Sequence, residues 1–182
     1  VFLRSAVESP GIKKIRAVLI VLLFILGAFR LHGVGLYDYG NNLSLYQFIR
    51  ETPQQSTIAG PPDLMDSVMT FGQRKPFLTY ELSHTWYKNY WSTIKANTYA
   101  FFDAYYSNDP DKVKEFCKKH QVEYMVVRDS DFVGHTAGRG SAYFEPFGEY
   151  IQRIKSERES FALLDDTVFK PVYLENGIRV VK

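Results

Sequence analysis

The sequence predicts an α/β protein: an N-terminal transmembrane helix, then a three-layer-like domain with helices packed on a mainly parallel sheet and a C-terminal antiparallel hairpin. Three observations predict it. Residues 17–29 carry no charged or amide side chain and follow Lys13, Lys14 and Arg16. Beyond them, short β-branched runs alternate with segments of helical periodicity, the pattern of a parallel sheet covered by helices. At the end, TVFKPVYL and GIRVVK flank Asn176-Gly177, a strong hairpin signal.

The apolar run AVLIVLLFILGAF is apolar on every side, so it lacks the polar stripe of a helix on a soluble core. Its 13 residues cover about 20 Å as a helix, against about 30 Å of hydrocarbon. Extension to residues 15–36 gives the length and takes in Arg16 and Arg30, whose long side chains can snorkel to an interface. The rival readings are a cleaved signal peptide, against which GAFRLHGVG offers no small-x-small cleavage site, and a helix buried in a soluble core. By the positive-inside tendency Lys13, Lys14 and Arg16 stay cytoplasmic and the remainder is exported to the periplasmic or extracytoplasmic side. The expected parts are a cytoplasmic segment at 1–14, a transmembrane helix and connector at 15–36, and an extracytoplasmic α/β domain at 37–182.

The domain's elements follow in order. LSLYQFIRE reads as a helix started by Asn42 or Ser44 and stopped at Thr52-Pro53. STIAG is a short strand. DLMDSVMTF places Met65, Val68 and Met69 on one helical face, with Gly72 as C-terminal cap. PFLTYEL is the next strand. An aromatic segment, SHTWYKNYWSTIKANTYAFFDAYYS, runs as a loop into a helix over about 93–106. Asp109-Pro110 starts a helix feeding the strand VEYMVV. After the loop RDSDFVGHTAGRGS comes a helix begun by Glu145-Pro146, with Phe147, Tyr150, Ile151 and Ile154 at helical spacing. FALL and the hairpin are strand.

Composition narrows the function classes. The chain has 182 residues, 46% hydrophobic and 16% aromatic, enough for a packed core and too apolar for disorder. Basic and acidic residues number 22 and 20, and no Lys/Arg block points to nucleic acid. The single cysteine, Cys117, excludes an internal disulfide and reads as a small buried hydrophobe. Val1 in place of Met suggests a piece of a longer protein.

Two constellations carry chemistry. Asp129-Ser130-Asp131 follows a strand as a D-x-D pair, two hard carboxylates suited to Mg²⁺ or Mn²⁺, and His135 could add a ligand. The competing reading is that these residues cap a turn in solvent. Trp86, Tyr87, Tyr90 and Trp91 stand among polar neighbours and cannot all share one buried face. Amphipathic rings of this kind suit a membrane–water interface or stacking on a sugar, while the plain alternative is a satellite hydrophobic cluster. GHTAGRG matches no phosphate-binding pattern and reads as a surface loop. The four histidines show no zinc spacing.

The line YQFIRETPQQSTIAGPPDLMDSVMTFGQRKPFLTYE, coming after an apolar helix, resembles the start of the extracytoplasmic C-terminal domain of polytopic GT-C-fold membrane glycosyltransferases. These include the oligosaccharyltransferase catalytic subunit and polyprenol-phosphate-sugar transferases. The parts that carry the resemblance are Ile49-Arg50-Glu51-Thr52-Pro53, the strand at 56–60, Phe71-Gly72-Gln73-Arg74 and VKEFCKKHQVEYMVV, within 36–128. Where the oligosaccharyltransferase family has WWDYG after its first strand, this chain has Ala59-Gly60-Pro61-Pro62-Asp63. Tyr37-Asp38-Tyr39-Gly40 precedes the helix instead. Recognition of an acceptor sequon is therefore not expected.

The resemblance implies a parent that transfers sugar from a lipid-linked donor. In this family the acting carboxylates lie between early membrane helices that this chain lacks. The piece would then be non-catalytic and without a cofactor of its own. It would shape acceptor access or dock, with the lipid bilayer, the parent's other membrane helices and a glycan or polyprenol-linked sugar as partners. The alternatives are a membrane-anchored, exported binding or assembly module, and a metal-dependent transferase using Asp129 and Asp131.

Overall fold

The computed structural model describes residues 10–30, 40–83, 88–133 and 143–182. It divides into two units, up to Gly40 and from Asn41 to Lys182.

The first unit contains α1 (Pro10–Arg30). Its large apolar side chains are exposed, Val18 at 62% and Phe24 at 80%, so none of the described residues of the unit covers them. The expected membrane crossing is not met by this element. Among the described residues no helix is long and apolar enough to cross a membrane. The physical reason is that Lys13, Lys14 and Arg16 lie inside the same helix, which begins at Pro10. Any stretch of α1 long enough to span takes in all three, and the uncharged part covers only about 20 Å. Residues 31–36 of the expected span lie outside the described residues.

The second unit is a three-layer α/β domain. Its sheet has the order β2-β1-β3-β5-β4, formed by β1 (Thr57–Ala59), β2 (Lys75–Pro76), β3 (Tyr124–Arg128), β4 (Pro171–Glu175) and β5 (Ile178–Val181). The β1–β2 and β1–β3 pairs are parallel, and the β3–β5 and β4–β5 pairs antiparallel. Alternating residues of the middle strands feed two cores. Met125, Val127 and Val181 meet α4 (Lys88–Tyr105), α5 (Pro110–His120) and α6 (Phe147–Ser156) on one face. Ile58, Val126 and Val180 meet α2 (Leu43–Glu51) and α3 (Pro62–Met65) on the other. This alternation is what a sheet buried on both sides requires.

Local chemistry sets the boundaries. Thr52 ends α2 in an extended conformation ahead of Pro53, and its hydroxyl donates to the Ile49 carbonyl at 2.6 Å. The Asp109 carboxylate caps α5 by accepting from the Asp111 N–H at 2.9 Å. Asn176 and Gly177, at φ 52° and 71°, form the two-residue turn between β4 and β5.

Four elements differ from the sequence-based expectation. DLMDSVMTF is not one helix. After the four-residue α3 the chain widens into another turn at Val68–Gly72, which leaves Met69 52% exposed while Met65 and Val68 are buried. The cap role falls to Gln73, at φ 52°, and Gly72 serves a close approach: a Cβ there would stand 2.8 Å from Ile49 Cγ2. Of PFLTYEL only Pro76 belongs to the edge strand β2, because Thr79 and Ser83 bond to local backbone and bend the chain into a turn at Glu81–Ser83. FALL is a turn at Ala162–Leu164, with the Ala162 N–H held by the Ser107 carbonyl at 2.8 Å. The aromatic helix α4 begins at Lys88, earlier than expected, so Tyr90 and Trp91 are helical residues.

Candidate functional site

The carboxyl ends of β1 and β3 lie side by side, and in sheets with parallel strands this end is where ligands are met. Arg128 closes β3 there. Its Nε donates to Asp131 Oδ1 at 2.8 Å, and its two terminal nitrogens grip Asp63 of α3 at 2.7 and 3.2 Å. The Tyr105 hydroxyl donates to Asp131 Oδ2 at 3.0 Å and accepts from the Arg128 N–H at 3.0 Å, closing a ring of hydrogen bonds.

Burial sets the electrostatics. Desolvation raises the Asp131 carboxyl above the ordinary range although Arg128 and the Tyr105 hydrogen bond pull it down. Burial and the neighbouring Asp131 push Tyr105 far up, so it stays a neutral donor. Burial works against the Arg128 cation, but its bonds to Asp63 and Asp131 outweigh that and raise it.

Asp129 faces a different partner. Arg179 of β5 donates through Nε to Asp129 Oδ1 at 2.9 Å and through Nη1 to Asp166 Oδ1 at 2.6 Å. The two carboxylates of the D-x-D stretch therefore belong to separate ion pairs, and each already has a cation. Their turn, Asp129–Asp131, is a single tight one whose residues fan out around its axis. His135 lies outside the described residues. Among the described residues no group of three His, Cys, Asp or Glu side chains could hold a metal ion.

The aromatic residues separate in the same way. Trp86 and Tyr87 lie outside the described residues. Tyr90 is 43% exposed, and its hydroxyl donates to the Leu82 carbonyl at 2.6 Å. Trp91 is half-buried, with its ring 5.8 Å from Phe147 and 6.3 Å from Phe144. Tyr143 bridges this wall to Tyr80, ring to ring at 5.5 Å. Of the flanking cations, Lys14 and Arg16 are exposed on α1, and the side chains of Lys13 and Arg30 lie outside the described residues. Cys117 is half-buried, and burial pushes its thiol up to about 11, which suits packing better than nucleophilic chemistry.

Tyr105, Arg128, Arg179 and Asp63 escape a motif-based reading. Arg128 had one signal, its place between a buried strand and two aspartates, where a countercharge belongs.

The fold is similar to that in the crystal structure of the C-terminal globular domain of oligosaccharyltransferase from Archaeoglobus fulgidus. The TM-score is 0.47 at 9% identity, covering 76% of this chain and 95% of that one. No protein-family model matches the sequence, and no curated protein matches it.

Proposed function

We propose that this chain is a membrane-bound, non-catalytic domain associated with a glycosyltransferase that uses a lipid-linked sugar, and that it shapes acceptor access or docks onto the membrane part. The observation that carries the reading is α1. From Val18 to Leu26 its large apolar side chains are all at least half exposed, far more apolar surface than one helix leaves in water. Lipid, or the other membrane helices of a parent protein, is the natural cover. The short uncharged stretch of α1 and the cations at its start suit a helix that sits near one face of the bilayer with Lys14 and Arg16 among the headgroups.

Two further features support the reading. The phrase that carries the family resemblance is one structural device: Arg74 donates to the carbonyls of Arg50 and Thr52, so the arginine fastens the end of the helix that Thr52-Pro53 stops. The carboxylates at the strand ends are committed to Arg128 and Arg179, as a scaffold would have them. On this reading the domain lies on the extracytoplasmic side, and its sugar or polyprenol partners meet it there.

The test is fractionation of cells expressing the full chain, followed by alkaline extraction of the membranes and external protease on intact cells stripped of their wall. The expected result is a chain that stays with the membrane and is cut from outside. Recovery of the intact chain in the detergent-free soluble fraction overturns the reading.

A further inference from the structure

The domain is electrically polarised along its strands. At the carboxyl end stand Asp63, Asp66, Asp129, Asp131, Asp166 and Glu175, answered by Arg128 and Arg179. At the opposite end stand Arg50, Lys75, Lys118, Lys119, Lys170 and Lys182, all exposed, with Glu51 and Glu123 the acidic residues beside them. Strand register places three of these cations along one rim. Lys75 pairs with Thr57 at the start of β1, Lys182 follows Val181, and Lys170 precedes Pro171, the partner of Val181. Arg50, Lys118 and Lys119 come to the same rim from the last turns of α2 and α5.

The two ends also differ in how their charges are used. Four of the six carboxylates, Asp63, Asp129, Asp131 and Asp166, are held by arginines, whereas no ion pair among the described residues involves any of the six rim cations. Lys182 instead lies over the Tyr124 ring at 5.7 Å. Compensation of a helix dipole accounts for Arg50, Lys118 and Lys119. It does not account for Lys75, Lys170 and Lys182, which stand at the ends of strands with little net dipole to answer.

We infer that this rim is an interaction surface for anionic lipid headgroups, on which the domain lies against the bilayer. The inference rests on the membrane-bound reading above, because a helix held in lipid keeps the domain within reach of that surface. The reach suffices. Residues 31–39 span at most about 30 Å, while a five-residue strand is only about 17 Å long. The chain can therefore enter the domain at its acidic end and still allow the basic end to lie on the membrane.

The experiment floats the full chain with vesicles of neutral phosphatidylcholine, and with vesicles containing one third phosphatidylglycerol, at low and high salt. Neutral vesicles report α1 alone, so absence of binding to them overturns the membrane-bound reading without touching the rim. The rim is read from the gain on anionic vesicles. A Lys75→Glu/Lys170→Glu/Lys182→Glu chain is expected to lose about tenfold of that gain, and high salt to remove it in the native chain. A Lys88→Glu/Lys95→Glu chain, altered on exposed residues of α4, is expected to keep it although its net charge also falls, by four against six for the rim variant. Lys→Gln versions of the three strand residues, checked by thermal melts, show that any loss is not unfolding. An unchanged gain in the triple variant, or an equal loss in the α4 control, overturns the inference.

Discussion

Arg128 ends a strand of buried side chains and puts its guanidinium between Asp63 and Asp131, so one residue joins the segments that follow β1 and β3. Asp131 is 6% exposed, and its charge depends on that contact. Arg128→Ala leaves a buried carboxylate with only the Tyr105 hydroxyl and is expected to cost about 2–4 kcal/mol in urea unfolding. Asp131→Asn should cost less, because no unpaired charge is left buried: the amide oxygen still accepts from Arg128 and the amide NH2 can donate to the Tyr105 hydroxyl. This ring of bonds was not legible in the sequence, since Tyr105 lies in an aromatic run where any member could be core. The D-x-D stretch was visible, but its spacing does not say which cation answers each carboxylate. Only the fold, by setting β5 against β3, brings Arg179 to Asp129.

Elements with local punctuation were legible. The stop at Thr52-Pro53, the cap at Asp109-Pro110 and the turn at Asn176-Gly177 all stand where the sequence places them, because each is decided by a few adjacent residues. Elements decided by distant contacts were not. PFLTYEL has strand composition, yet as an edge segment it gains a single pairing partner, and its hydroxyls bond locally instead. Gly72 shows the same limit. As a cap it would tolerate change at a small cost, but it lies where α2 comes closest. Gly72→Ala is therefore expected to lower stability by about 1–3 kcal/mol, as overpacking against Ile49, and Ile49→Val in the same chain should recover part of the loss. Thermal melts of the two variants decide between these roles.

For the whole domain, the two cores on opposite faces of the sheet are joined through its strands, so stability reports on both. His120 gives this a pH dependence. Its ring packs against Phe77 and Phe116 at 4.9 Å from each, and burial with the nearby Lys119 lowers its pKa. A lowered folded-state value means the folded form holds the proton less tightly than the unfolded form. The stability from this packing is thus present above about pH 6.5 and declines as pH falls through the lowered value. The melting temperature should drop between pH 7 and pH 5, and His120→Phe should flatten that slope; an unchanged slope removes the assignment. A different consequence follows from the strand order. β5 is the closing segment of the chain as read, yet it lies in the interior of the sheet between β3 and β4, with Val180 fully buried. During synthesis, β3 waits with one ladder open until more than fifty later residues have emerged. Without Ile178–Val181 that edge of β3 stays raw, a row of unpaired backbone groups open to pairing with another chain.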